Sequence, residues 1–533
     1  MSRSPEAFRS GLLAAAQVLR ACGRSASERQ LRRLALRSAG DAGGLWRLLR
    51  QSQDAGDPGT ALALYRDLIA VLEPQHGAAA AEALSALAQE PVAALHMADT
   101  LPAPPPEPLK PIPGRVAYLL NYALPQVANG YTLRGQAIAA ALKDHGVDLV
   151  CLTRPGFPLD RSPPQAFRPA DQVAEVEYLH EALPVLEGFS GFSAYLTAAA
   201  RALEARLRAL RPQTVIAASN FQTALPGLIA ARRLGLPFCY EVRGFWELTQ
   251  LSADPGIEPT LFYQLQYALE CCTAAQADHV FALAAPMREE LIRRGVPADK
   301  ITLAPNGCDS GKFIPQPRNA ALAARYGIPE DVPVIGYIGS FVQYEGLDDL
   351  VRACSLLRQQ GLEFRLLLAG SGPAEEDIRH AALEAGLDGW LIMPGRIPHE
   401  EAAAHYSLID ITPFPRKPQP VTELVPPLKP LEAMAMEKAV AVSSVRPLAE
   451  MVTAGETGVT FEKGDTEDLA RTLAQLIADP ALRARLGKAG RTWVAQERSW
   501  KKTAKSIAET LSPEKSLLSS AVLQVPGLRG RSR

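Results

Sequence analysis

Short apolar segments alternate with helical segments along most of this chain, and the alternation constrains its fold more than any other feature. In the first series, which starts at Arg115, the apolar segments are β-branched or aromatic and only four to seven residues long. They predict strands at Val116–Leu120, Val147–Thr153, Thr214–Ala218, Phe238–Val242 and Val280–Leu283. Amphipathic or apolar segments between them predict helices at Leu133–Lys143, Ser193–Leu210, Ala224–Leu234 and Phe262–Ala274. Continuous apolar strands separated by helices are typical of a parallel sheet that is covered on both faces.

A second series follows a loop-like stretch at 314–333. Its predicted strands are Val334–Ile338, Phe364–Leu368, Leu391–Met393, Ile409–Pro413 and Val440–Ser443. Predicted helices fall between them at Leu347–Gln360, Glu375–Ala385, Glu400–Tyr406 and Lys429–Met436, and residues 466–509 are helical. The fold class expected is therefore α/β, with two Rossmann-like domains that face a cleft. Ligands of open α/β sheets bind outside the carboxyl ends of the strands, so the cleft is the expected site.

The remaining segments complete the expected domain organisation. Residues 1–98 read as a small all-α domain, weakly similar to a tetratricopeptide helix pair, and 99–114 as a linker with seven prolines. Residues 115–318 form the expected first Rossmann-like domain and 319–495 the expected second one. Residues 496–511 are expected to form a helix that returns to the first Rossmann-like domain, and 512–533 to be a disordered tail.

Composition excludes several classes of protein. The net charge of −1 leaves no basic footprint for nucleic acid. No apolar run reaches the ~18 residues of a membrane-spanning helix, and Arg20 interrupts the N-terminal apolar run, so we expect no signal peptide. Seven cysteines without a CxxC pair and eight histidines without metal-ligand spacing predict reduced thiols, a cytoplasmic protein and no metal site.

Residues 420–445 carry the strongest chemical signal. A proline-rich loop runs into a helix start at Pro430, with Glu432 near that start, and a β-branched run follows. Helix starts favour phosphate, and a carboxylate at that place can accept hydrogen bonds from ribose hydroxyls. The alternative is that Glu432 only caps or solubilises the helix.

The loop and helix resemble the donor-sugar segment of glycosyltransferase family 4, the retaining enzymes of GT-B fold. The resemblance extends from about residue 115 to 505 and includes a glycine loop at 124–131, the segment 240–247, a Pro-Asn-Gly-x-Asp segment at 305–309, and the segments 336–347 and 366–373. It implies a metal-independent hexosyltransferase that moves a sugar from a nucleotide-sugar donor to a saccharide or lipid-linked acceptor in bacterial polysaccharide or glycolipid synthesis. No separate cofactor is implied, because the nucleotide sugar, UDP- or GDP-linked, is a substrate.

The resemblance implies that residues 115–318 are the acceptor domain and 319–495 the nucleotide-sugar domain, and it also assigns residues to roles. The donor-binding set is Gly130, Gly339, Ser340, Arg396, Leu428, Lys429 and Glu432. The acceptor-side set is Asn129, Tyr131 and Glu241, and the candidate catalytic groups are Arg243, Lys429 and Glu423. Partners beyond the substrates stay open: a protein recruited by residues 1–98, and a membrane surface at the basic face of Arg201–Arg211, which is otherwise a solvated helix face.

Three positions depart from the common family pattern. Ser340 stands where most members have arginine, and Glu345 stands where most have lysine. The usual pair of glutamates has seven residues between its members; counting back from Glu432 gives Leu424, and Glu423 is displaced by one residue. A subgroup resembling the glycosyltransferases of exopolysaccharide clusters shares this form. Lys429, and after it Arg396, are the expected replacement cations. The competing readings are a catalytically impaired GT-B scaffold and a GT-B sugar-nucleotide epimerase.

Overall fold

The structure is a computed structural model. It describes residues 107–161, 167–183, 192–257 and 261–511, together with nine positions before them, namely 48, 94, 97, 98, 100–103 and 105. The predicted all-α domain as a unit and the predicted tail at 512–533 lie outside these described residues.

The first Rossmann-like domain is built on an eight-stranded sheet in the order β3-β4-β2-β1-β5-β6-β7-β8. Only β3 and β4 pair antiparallel. The strands are β1 Arg115–Leu120, β2 Asp148–Thr153, β3 Ala170–Val173, β4 Val176–Leu179, β5 Thr214–Ala218, β6 Phe238–Val242, β7 His279–Ala282 and β8 Ile301–Leu303. All residues of β5, β6 and β7 are buried, as expected for apolar strands covered on both faces.

Six helices belong to the described part of this domain. They are α1 Gly130–Asp144, α2 Phe192–Leu210, α3 Phe221–Leu234, α4 Trp246–Ala253, α5 Leu261–Gln276 and α6 Ala285–Arg293. The start of α1 is a capping box, in which the Asn129 side chain accepts from the Thr132 amide and the Thr132 hydroxyl accepts from the Asn129 amide. Asn220 caps the start of α3, and Gly235 ends it in the left-handed conformation.

The second Rossmann-like domain has a six-stranded sheet in the order β11-β10-β9-β12-β13-β14, paired parallel throughout. Its strands are β9 Val334–Ser340, β10 Arg365–Ser371, β11 Leu391–Gly395, β12 Ile411–Phe414, β13 Ala439–Ser443 and β14 Val459–Phe461. Its helices are α7 Ala320–Arg325, α8 Leu347–Gln359, α9 Glu375–Glu384, α10 Ala402–Leu408, α11 Lys429–Ala435, α12 Arg446–Ala449, α13 Thr466–Ala478 and α14 Pro480–Glu497. Four 3-10 turns complete the described elements, at Pro255–Ile257, Ala298–Lys300, Gln343–Glu345 and His399–Glu401.

The chain crosses between the two domains twice. The outward crossing follows β8, and the return crossing leads into α15, Trp500–Leu511, which packs against α1. The two crossings touch, since the Cys308 amide donates to the Arg498 carbonyl at 2.7 Å. A Cβ on Gly307 would lie 2.9 Å from that same carbonyl oxygen, so this close approach requires glycine.

The proline-rich segment lies on the first domain. Leu109 donates its amide to the Leu234 carbonyl at 2.9 Å, and Ile112 donates to the Arg211 carbonyl at 2.8 Å. Pro108 packs directly over Gly235, where a Cβ would come within 2.9 Å of it. These contacts make residues 108–114 a strap attached to α2 and α3.

The predicted α/β fold class with two Rossmann-like domains is confirmed, and every strand of the two predicted series is present. Sequence reasoning did not anticipate the β3–β4 hairpin, the edge strands β8 and β14, or the helix α4. These elements are three to eight residues long, too short for apolar periodicity to develop. Pairing with a neighbouring strand or packing on the sheet supplies the stability that the local sequence lacks.

Candidate functional site

The carboxyl end of β6 carries a buried charged cluster. The Glu241 carboxylate accepts from Arg134 Nε at 2.9 Å, from Arg243 Nη2 at 2.9 Å and from the Tyr118 hydroxyl at 2.5 Å. Burial would raise the pKa of Glu241, but the charges of Arg243 and Arg134 and the hydrogen bond from Tyr118 lower it to about 2. Glu241, predicted on the acceptor side, is therefore a fixed anion between two arginines.

Arg243 connects this cluster to the start of α1. Its guanidinium donates to the Tyr131 carbonyl at 2.8 Å and lies 4.4 Å from the centre of the Tyr131 ring. Although burial opposes it, the Glu241 carboxylate raises the pKa of Arg243 above its ordinary value. Arg243 and Tyr131, assigned separately to catalysis and to the acceptor, thus meet at one place.

Tyr131 and Asn129 both take part in local structure. The Tyr131 hydroxyl accepts from the Asn121 amide at 2.8 Å, and burial raises the pKa of Tyr131 to about 12. Asn129 is exposed and holds the capping box of α1. The acceptor-side residues therefore lie together around the carboxyl ends of β1 and β6.

On the second domain, Lys429 and Glu432 face each other at the start of α11. Lys429 Nζ lies 2.8 Å from Glu432 Oε2, and the Lys429 side chain is 27% exposed. Glu432 is buried, and its negative charge adds to burial in raising the pKa of Tyr406 well above its usual value. The two residues predicted to hold diphosphate and ribose thus form an ion pair with each other.

The two domains approach closely beside this pair. A Cβ on Gly130 would lie 3.3 Å from Leu428 Cδ1. Arg396 follows β11 and reaches across to donate to the Ala128 carbonyl at 3.3 Å. Four predicted donor-binding positions, Gly130, Arg396, Leu428 and Lys429, therefore lie at one boundary between the domains.

Family models match both domains. Residues 129–307 match the glycosyl transferase 4-like domain, and residues 319–493 match the glycosyl transferases group 1. Together the two matches span about two thirds of the chain. The chain belongs to glycosyltransferase family 4.

Relatives within this family differ in the reactions that their names state. A GDP-mannose-dependent alpha-(1-6)-phosphatidylinositol monomannoside mannosyltransferase of Mycolicibacterium smegmatis is 30% identical over 219 residues, which are 40% of this chain and 57% of that protein. A 2-deoxystreptamine glucosyltransferase of Streptomyces kanamyceticus is 27% identical over 281 residues, 51% of this chain and 70% of that one. The match thus spans little more than half the length of the mannosyltransferase.

Solved structures agree on the fold. Sucrose-phosphate synthase of Thermosynechococcus elongatus superposes with a TM-score of 0.61 at 21% identity, covering 76% of this chain and 99% of that chain. The Anabaena protein HepE, solved with UDP and glucose, gives a TM-score of 0.57 at 17% identity, covering 74% and 99%. The two-domain arrangement of this family member is therefore the GT-B fold.

Glu423, a candidate catalytic group of this family 4 protein, has partners other than the Lys429–Glu432 pair. Glu423 accepts from Lys463 Nζ at 2.6 Å and from the Arg446 amide at 3.3 Å. Ser340 is exposed at the end of β9. At the adjoining Gly339, a Cβ would come within 2.6 Å of the Tyr337 hydroxyl. The structure therefore engages Glu423 in a contact within the second domain.

Two buried arginines of the site were missed by sequence reasoning. Arg134, on α1, binds Glu241; Arg416 follows β12 and binds Glu345, with Nη2 2.6 Å from Oε1. Arg416 also donates to the Val425 carbonyl at 2.8 Å. Both arginines had a sequence signal: Arg134 lies on the buried face of its helix, and Arg416 stands two residues after a strand. Each needed a partner distant in sequence, which the sequence does not reveal.

A groove of about 600 Å³ runs along α1 from this site. Leu428 and Glu432 line it, together with the apolar side chains of Leu133, Ala137 and Trp500. Within the described ranges, no group of three or more His, Cys, Asp or Glu could hold a metal ion. Among the helices that the structure describes, none is long and apolar enough to cross a membrane.

Proposed function

We propose that this protein transfers a sugar, with retention of anomeric configuration, from a nucleotide-sugar donor to a saccharide or lipid-linked acceptor in bacterial polysaccharide or glycolipid synthesis. The proposal includes UDP- or GDP-linked donors and a cytoplasmic location, at or near the inner face of the membrane. Relatives named for GDP-mannose and for phosphatidylinositol mannoside support both the donor class and the membrane-proximal location.

The observation that carries the proposal is the Lys429–Glu432 pair at the domain boundary. Lysine is a competent partner for phosphate, and a carboxylate can accept from vicinal ribose hydroxyls. These two groups stand three residues apart on one helix turn, beside Gly130. A nucleoside diphosphate replaces their mutual contact with one anionic and one hydroxyl partner, which leaves neither group unpaired.

In the proposed transfer, the acceptor hydroxyl oxygen forms a bond to the anomeric carbon of the donor. The bond from that carbon to the phosphate oxygen breaks, and its electron pair stays on the nucleoside diphosphate. The departing diphosphate oxygen takes the proton of the acceptor hydroxyl, so the reaction occurs on one face of the sugar. Lys429 and Arg396 are the cations that we propose for the leaving charge, and the stabilisation that they provide would increase as the charge develops.

The departures at Ser340, Glu345 and Leu424 favour the alternative, a scaffold that has lost catalysis. At Glu345 the structure gives the changed residue a role of its own, because its carboxylate is neutralised by Arg416, with Nη2 2.6 Å from Oε1. A lysine at 345 would instead place two cations side by side. The Glu345 substitution is therefore consistent with an intact donor loop, which favours an active transferase.

The test is calorimetric binding of UDP and GDP to the wild type, to Lys429→Ala and to the control Lys488→Ala, in which the lysine is exposed on α14. We expect one nucleotide to bind and Lys429→Ala to weaken it roughly 10- to 100-fold, since a hydrogen bond to a charged group contributes about 1.5–3 kcal/mol. The control should bind as the wild type does. Folded protein that binds neither nucleotide would refute the proposal and favour the scaffold.

A further inference from the structure

Arg134 donates hydrogen bonds to two separate segments of the chain. Besides Glu241, its guanidinium donates to the Ala304 carbonyl at 2.8 Å, to the Pro305 carbonyl at 3.1 Å and to Asn306 Oδ1 at 3.1 Å. The side chain is 2% exposed. One arginine thus joins the carboxyl end of β6 to the outward crossing between the domains.

Asn306 extends this connection to the second domain. It is 4% exposed, and its Nδ2 donates to the Pro426 carbonyl at 3.0 Å. Its amide oxygen is held by Arg134, so the orientation of the amide group is defined by both neighbours. Pro426 belongs to the loop of residues 416–428, which leads directly into Lys429 and Glu432.

The same loop contacts the first domain through apolar side chains. Leu424 and Val425 pack against the first domain's core. A Cβ on Gly244, immediately after Arg243, would lie 3.8 Å from Val425 Cγ1. These apolar contacts allow sliding, whereas the hydrogen bond from Asn306 is directional and selects one position of the loop.

We propose that Arg134 and Asn306 are positioning residues, which set the place of the loop 416–428, and with it Lys429, relative to Glu241 and Arg243. The consequence of this positioning for donor binding rests on the proposed function. The connection runs from Glu241 through Arg134 and Asn306 to Pro426, so that the acceptor-side cluster and the donor-side helix start keep a fixed separation. Arginine suits this role because its planar fork spreads five N–H donors over three nitrogens, whereas lysine has three donors on one nitrogen.

The deciding variant is Asn306→Asp. Aspartate keeps an oxygen for Arg134 but replaces the donor to Pro426 by a second oxygen, so the link to the loop is lost and one negative charge is added beside Arg134. Arg134→Lys keeps the positive charge beside Glu241 but loses the fork. The matched control is Asn319→Asp, where the side chain accepts from the Leu322 amide at the start of α7 and aspartate can accept in the same way.

The primary measurement is amide hydrogen exchange, which does not depend on any activity. The Val425 amide, bonded to the Val421 carbonyl at 2.8 Å, reports on the loop, and the Leu431 amide, bonded to the Leu428 carbonyl at 3.1 Å, reports on the start of α11. We expect both to exchange roughly 5- to 10-fold faster in Asn306→Asp and in Arg134→Lys, as the loss of one buried hydrogen bond predicts. The double variant should add little to either, because both changes interrupt one connection.

Two outcomes would overturn the proposal: unchanged exchange in the loop, or acceleration spread evenly over both domains. A second measurement is the dissociation constant of whichever of UDP or GDP the wild type binds. This constant should rise by a similar factor in Asn306→Asp, while the midpoint of thermal unfolding of Asn306→Asp stays close to that of Asn319→Asp. If the nucleotide binds equally well to a loosened loop, the positioning role fails. If the wild type binds neither nucleotide, the proposed function fails, and the exchange data alone decide the connection.

Discussion

Replacing Glu345 by lysine tests how the structure accounts for the departure from the family pattern. If Glu345 were a lost donor contact, Glu345→Lys would strengthen nucleotide binding. The structure predicts the reverse, because Arg416 Nε and Nη2 both bind the Glu345 carboxylate within 3.2 Å. The new ammonium would lie against a buried guanidinium.

The magnitude follows from burial. Glu345 and Arg416 are each 7% exposed, and removing one partner of a buried ion pair costs about 3–5 kcal/mol. Repulsion between the two cations places Glu345→Lys at the upper end of this range. For a domain of this size, the loss corresponds to a fall of about 6–20 °C in the midpoint of thermal unfolding.

Scanning calorimetry of the full chain measures this effect, with Glu330→Lys as a control that makes the same charge change at an exposed loop position. We expect only Glu345→Lys to lower the midpoint of the second domain. The charge-swapped variant Glu345→Lys/Arg416→Glu should recover part of the loss, though not the bond to Val425. A Glu345→Lys protein as stable as the control, and binding nucleotide more tightly, would refute the reasoning.

Two further predictions concern the buried carboxylate of α5 and a glycine of β10. Burial and the charge of Glu247 raise the pKa of Glu270 to about 7, so the folded protein binds more protons than the unfolded chain between about pH 4.5 and 7, and this group lowers the stability as the pH rises through that window. Urea denaturation should therefore find Glu270→Gln more stable than the wild type at pH 8 and equal to it at pH 4. An equal gain in stability at both pH values would contradict this assignment. Gly370 has φ +152°, and a Cβ there would lie 1.8 Å from the Gly339 carbonyl oxygen. Gly370→Ala should therefore lower the free energy of unfolding by about 2 kcal/mol, because the methyl group forces the two strands apart, and it should weaken nucleotide binding. A calorimetric midpoint equal to that of the wild type would show that the strands tolerate the methyl group.

Elements that depend on neighbouring residues were predicted from the sequence, and elements that depend on distant residues were not. Thr214–Ala218 and Phe238–Val242 were predicted to the residue, because strands buried on both faces are continuous apolar runs. The hairpin Ala170–Val173 and Val176–Leu179 was not predicted, since its identity depends on pairing with β2. The donor segment was found because its proline-rich loop, helix and strand are adjacent in sequence.

In the candidate site, too, the local contacts could be predicted from the sequence and the long-range contacts could not. Lys429 and Glu432 are three residues apart, so one helix turn brings them together in any fold that keeps the helix. Their relation to Arg134, Arg416 and Asn306 needs contacts between residues 71 to 172 positions apart. No local pattern in the sequence specifies such contacts.

The sequence by itself determined the two α/β domains, the cleft between them and the chemical character of the loop before α11, because each follows from hydrophobic periodicity or from neighbouring residues. Only the tertiary structure decided that Glu345 pairs with Arg416, that Glu423 pairs with Lys463, and that Glu241 lies between two arginines. A buried charge is tolerated only with a partner, and the partner is chosen by which strand ends and helices the fold brings together.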